Sequence, residues 1–302
     1  MTDVPTEGSA FEAMMREIDA KLKAEGVEIP SRPISAVREV SIRHGNTPIP
    51  LGNGTIKMPP ELERHRPLAA AIRKWYDDTY GDRIKVDMSA GRVVLLLEGD
   101  LYTLQIPRFF GSVNFIAARE WLPNVAIGRG PATCNVVQLV DDITPRMTKI
   151  LSDEALLAIW SAFEIGLPAC YTLESTQSEL MAIARGDIKV AVSNLMDRSD
   201  HFGASKWASL QSAEKVLKAA ILLRGGRFKF VHELRSLCDQ LAGLGIVFDH
   251  AQLIADIQCT PKIRYGEEPC TREQALAAHQ ASLALVNRLR DAGAGFELGL
   301  GG

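Results

Sequence analysis

The chain has 302 residues with ordinary apolar and charged content, long enough for two modest globular domains. Its net charge of −3 excludes a generally basic nucleic-acid coat. Five scattered cysteines with no C-x-x-C pair argue against both a disulfide framework and a zinc site, and for a reducing compartment. The first residues, MTDVPTEGSAFEAMM, lack the basic start and apolar core of a signal peptide. Apolar runs such as Val93–Leu97 are too short to cross a bilayer, so a soluble cytoplasmic protein with no membrane association is expected.

The first helix is expected over residues 11–24, where Ser9 and Glu12 have capping-box spacing and Phe11, Met15, Ile18 and Leu22 form one apolar stripe. Residues 27–60 break into pieces rich in Pro and Gly, with Asn53-Gly54 placed for a tight hairpin turn. Helix resumes near 67–80 with Pro67 at a first-turn position. Residues 83–140 read as sheet: RIKVDM, RVVLLLEG and LYTLQIP have the pattern of an antiparallel meander, and Val136–Val140 is a further strand candidate. A helix over 152–165 closes this half, read as an α+β domain spanning 1–170.

From Thr176 onward the pattern is helical. A capping box at Thr176 and Glu179 opens a helix through Met196, with Leu180, Ile183, Ala184, Ala191 and Leu195 inward. The next runs from Ser205 to Leu223, with Trp207, Leu210, Leu217 and Ile221 inward, and Gly225-Gly226 stop it. A third covers Val231–Leu244, a short fourth follows Asp249, and the last opens at Thr271 with Gln274 as capping partner. Five amphipathic helices with short links imply an all-α antiparallel bundle over 176–293, with a flexible glycine-rich tail at 294–302.

Charge is uneven along the chain. Residues 176–293 hold fifteen Lys and Arg against thirteen Asp and Glu, while the remainder holds nineteen against twenty-four. Within 205–235, seven basic residues face only Glu214 and Glu233. Such a run usually means a solvated helix face; an anion partner is the sharper reading. The candidate site joins Lys215 and Lys218, one helical face apart by three residues, to Arg224, Arg227 and Lys229 in the loop and to His232 at the next helix start. Arginine there could clasp a phosphate with two hydrogen bonds. No histidine pair has the i, i+4 spacing of a helical metal site, and neither a metal nor a cofactor is indicated. Gly52-Asn-Gly54 and Gly128-Arg-Gly130 lack the Gly-Lys-Ser/Thr of a phosphate loop.

The stretch ASLQSAEKVLKAAILLRGGRFKFVHELRSLCDQL resembles the core of a HEPN domain. Ala213-Glu214-Lys215, Lys218-Ala219, Gly225-Gly226 and His232-Glu233-Leu234 fit that family's order of motifs. Ile263-Arg264-Tyr265 resembles its Arg-Tyr-Pro segment, with Gly266 in place of the proline. The likeness covers residues 176–293. It implies a nucleotide- or RNA-binding bundle in which Lys215, Lys218, Arg224, Lys229, Arg264 and Tyr265 meet the ligand. It also admits a metal-independent endoribonuclease of toxin or defence type, with Arg227 and His232 acting across a homodimer. In that branch His232 would exchange a proton with the ribose 2′-hydroxyl or the leaving oxygen, and Arg227 would stabilise phosphate charge. Phe228 departs from the polar residue that usually follows the arginine there. A third reading is a non-catalytic scaffold that pairs with another protein.

Overall fold

The structure, a computed structural model, describes residues 4–51, 59–123, 131–197, 201–228 and 232–299. The Asn53-Gly54 turn, both short glycine motifs at 52–54 and 128–130, and Lys229 lie outside the described residues. Contacts divide the chain into two units, Met1–Asp87 and Met88–Gly302.

The first unit is helical. α1 (Gly8–Ala24) buries Phe11, Met15, Ile18 and Leu22, the stripe its spacing predicts, but Glu7 is the N-cap and no side chain caps the helix. α2 (Arg32–Arg43) occupies part of the stretch expected to be broken. Pro33 suits a helix start, because the first N–H groups of a helix have no internal partner. A single turn, α3 (Pro60–Glu63), precedes α4 (Arg66–Tyr80), which buries Leu68, Ala69, Ile72, Trp75 and Tyr76. One apolar cluster joins α1, α2 and α4. Arg32 is buried beside it: Nε donates to the Val27 carbonyl at 2.8 Å, and Nη1 donates to Tyr80 Oη at 2.9 Å. A buried guanidinium needs such partners to offset its lost hydration.

The second unit opens with a hairpin, β1 (Gly91–Leu97) paired antiparallel with β2 (Asp100–Ile106) in the register Val94 to Thr103. The rest of the expected meander differs. Arg83 and Ile84 close a 3₁₀ turn at Gly81–Ile84, and Val136–Leu139 form another capped by the Asn135 side chain. A separate parallel pair, β3 (Val113–Ile116) with β4 (Ala132–Asn135), was not foreseen; these four-residue strands carry no long alternating pattern.

The single turn α5 (Pro145–Thr148) leads into α6 (Asp153–Ser175), whose N-cap Ser152 accepts from the Ala155 N–H. α6 runs ten residues past the expected end, straight through Pro168. The proline leaves one carbonyl without its helical donor. Burial of Ala169, Cys170 and Leu173 in the core holds the helix together there, and Asn287 Nδ2 donates to the Ile165 carbonyl at 2.9 Å. By length and composition α6 could cross a membrane, longer than any apolar run singled out in the sequence, yet half of its most apolar window is buried inside the protein.

The helices that follow are α7 (Glu179–Met196), α8 (Phe202–Leu223), α9 (Leu234–Gly243), α10 (Ala251–Ile257) and α11 (Arg272–Asp291). The capping box at Thr271 and Gln274 is present. That at Thr176 is not: Ser178 is the α7 N-cap, and Thr176 Oγ1 accepts from the Glu297 N–H. Ile183, expected inward, is exposed.

Val93, Leu104 and Ile106 of the hairpin share one buried cluster with Ile159 of α6, Leu210 and Leu217 of α8 and Leu285 of α11. The His279 Nε2 accepts the Val94 N–H at 3.1 Å, and Gln280 Nε2 donates to the Val94 carbonyl at 3.2 Å. The expected boundary between 170 and 176 therefore falls inside one unit, because sheet and bundle bury their apolar faces against each other. The expected flexible tail is also tied down in part: Ala294 is buried and the Gly299 N–H donates to Ser175 Oγ.

Candidate functional site

α8 organises the candidate site. The helix is almost wholly buried from Ser205 to Ile221, and Gly225, with φ +75°, ends it in the left-handed conformation that glycine takes without strain. Arg224 is the C-cap residue and Arg227 follows in the loop; both are exposed, and neither has a carboxylate partner among the described residues. The chain then doubles back along α8. Phe228 comes to rest with its ring centroid 5.2 Å from Lys218 Nζ, and His232 Nδ1 lies 2.7 Å from Glu214 Oε2.

Glu214 is 5% exposed and its second oxygen receives Lys218 Nζ at 2.5 Å. One buried carboxylate thus holds a buried lysine on its own helix and an exposed histidine from the returning loop. A carboxylate and an ammonium removed from water are tolerable only when paired and hydrogen-bonded, and each supplies the other's partner here. The two lysines of the predicted strip consequently do not present free charges. Lys218 is consumed by Glu214, and Lys215, one position round the helix, pairs with Asp187 of α7 at 2.7 Å.

Arg264 and Tyr265 sit elsewhere along the same helix. They belong to a 3₁₀ turn at Pro261–Tyr265, which packs against the start of α8 so closely that a Cβ at Gly203 would lie 2.1 Å from the Ile263 carbonyl oxygen. Eleven residues separate Gly203 from Glu214, about three turns and about 16 Å of helix, which returns to the same face. Tyr265 is exposed, with the Arg264 guanidinium carbon 5.7 Å from its ring centroid. Between the two places, the Leu234 N–H donates to Gln258 Oε1 at 3.0 Å, tying the α9 start to the end of α10. Lys218, His232 and the Arg264–Tyr265 turn therefore lie in a row along α8 with Arg224 and Arg227 at and past its end, while Lys215 turns to α7, and these residues do not close into a single pocket.

His232 precedes α9 by two residues and does not itself begin the helix; Glu233 is the N-cap. The anchor Glu214 has no site role in the sequence reading, where it is one of two acids opposing the basic run and a member of the Ala-Glu-Lys motif. Its spacing of four from Lys218 was the available signal. Thiol chemistry is disfavoured nearby, since burial pushes Cys238 up to about 12 and Cys259 up to about 11.

The HEPN domain family model matches residues 177–286, spanning α7 to most of α11 and the whole of this row. The C-terminal half of the chain carries a HEPN domain. The match does not reach the first unit or the hairpin. Neither a curated protein nor a solved structure matches the chain. Within the HEPN domain, Glu214, Lys218 and His232 fall on the motif positions that carried the resemblance, and the β1–β2 hairpin extends its core.

Proposed function

We propose that the HEPN domain binds RNA, or a nucleotide through its phosphate, along the face of α8 that the returning loop covers. The observation that carries this reading is the row itself. Exposed Arg224 and Arg227, exposed His232 on its buried carboxylate, and the Arg264–Tyr265 pair are strung along one helix. An extended row with cations and an exposed aromatic suits a single strand, whose backbone seeks charge and whose bases seek a ring. A cytoplasmic, reducing setting belongs with this reading and agrees with five free cysteines.

A second reading is a metal-independent endoribonuclease that uses Arg227 and His232, in a homodimer. The Glu214–His232 contact favours it, because general acid–base catalysis by histidine depends on a fixed ring with one nitrogen turned to the substrate. Incubation of the protein with labelled single-stranded RNA in EDTA, read for cleavage and retention on one gel, separates the readings. The binding reading expects intact, retarded RNA. Cleavage that disappears in His232→Ala would establish the nuclease, and intact, unretarded RNA would contradict both RNA readings and leave a nucleotide or a protein as the partner.

A further inference from the structure

We infer that Glu214 is a positioning residue that fixes His232 in the Nδ1–H tautomer, with its Nε2 lone pair turned outward as a hydrogen-bond acceptor. The consequence for RNA rests on the site proposed above; the tautomer itself does not.

The chemistry follows from the partners. Glu214 Oε1 is engaged by Lys218 at 2.5 Å, and lysine has three donors and no acceptor. A carboxylate paired with an ammonium offers only acceptors, so the atom facing Oε2 at 2.7 Å must donate. Singly protonated His232 therefore carries its proton on Nδ1, the opposite of the Nε2–H form that a histidine in water prefers. Glu214 is itself immobile: its side chain is 7% exposed, and Lys218 is 10% exposed. The Phe228 ring lies over the ammonium of this pair. The aromatic residue that departs from the polar residue expected after the arginine thus has a place, shielding the pair from water and favouring its cation. His232, by contrast, is 72% exposed in its side chain, so the outward nitrogen is open to a ligand.

An acceptor at Nε2 selects what it meets. A hydroxyl, such as that of a ribose, can donate to it; an ionised phosphate oxygen cannot. Phosphate contacts then fall to Arg224 and Arg227, and the histidine reads the sugar beside them, which assigns the site to RNA rather than to DNA.

The test is nitrogen-15 NMR of the full-length protein at alkaline pH, where each ring holds one proton, with His232 assigned by its loss in His232→Ala. The expected wild-type spectrum has the proton on Nδ1 and an unprotonated Nε2. In Glu214→Gln the single amide oxygen goes to Lys218 and the NH2 group faces Nδ1, so the major form switches to Nε2–H. A wild-type ring that is mainly Nε2–H, or a Gln variant that keeps Nδ1–H, overturns the inference. If the variant fails to fold, the wild-type tautomer alone decides. Retention of single-stranded RNA and of DNA of the same sequence is measured on the same samples. A switched tautomer with RNA retention unchanged leaves the positioning role standing and removes His232 from the RNA site.

Discussion

His279 shows how one side chain can tie stability to pH. It is fully buried in α11, accepts the Val94 N–H through Nε2, and has no partner for Nδ1 among the described residues. Burial alone pushes it down from the ordinary 6.5 to about 4, since a charged ring there would lose its hydration. The unfolded chain then binds a proton over that interval and the native one does not, so stability rises with pH from about 4 to 6.5 and falls on acidification. The expected loss by pH 4 is roughly 3 kcal/mol. His279→Gln keeps an acceptor for Val94 and should flatten this part of the profile in urea titrations; an unchanged slope would assign the acid sensitivity to another group. Glu214 is a second residue whose role depends on its neighbours. The sequence shows its spacing from Lys218, but only the return of the loop reveals His232 on its other oxygen. Phe228 was legible as a departure from the family motif and not as a cover for an ion pair, because the contact spans a loop of no regular period.

Among the elements, the helices were legible wherever one face is apolar at a period of 3.6. α1 buries all four residues its spacing selects, and α8 buries Leu210, Leu217 and Ile221. Errors arose where local signals conflicted. The stretch holding Pro33 read as broken, yet that proline starts α2, and α6 runs on through Pro168 past the end expected at 165. Val136–Leu139 is β-branched and apolar enough for a strand but closes a 3₁₀ turn, since Asn135 caps it. Close packing of α6 on the hairpin yields a direct test. A Cβ on Gly166 would lie 2.3 Å from Val93 Cγ2 and 2.9 Å from Ile106 Cδ1, so Gly166→Ala must push α6 off the sheet. A loss of about 1–3 kcal/mol is expected despite alanine's better helix propensity, seen as a lower Tm. An unchanged or raised Tm would mean that the helix and hairpin are not in that contact.

Taken as a whole, the chain is a helical unit over Met1–Asp87 and a second unit in which a small sheet and a HEPN domain share one core. The change of period expected at 176 stands next to the start of the family match at 177, while the compact units divide at Asp87 and Met88, because a compact unit is defined by which apolar faces are buried together. The basic strip was legible as composition and only partly as a site: Lys215 and Lys218 turn inward to Asp187 and Glu214, leaving the arginines outside. If RNA binds through these outer residues, the affinity of the protein for single-stranded RNA across a salt series depends on them. Wild type should weaken steadily with salt, and Arg224→Glu combined with Arg227→Glu should lower affinity at least about tenfold and reduce the salt slope by about one to two, with the fold intact by circular dichroism. Unchanged affinity and slope in the double variant would contradict the account and place any RNA on another surface.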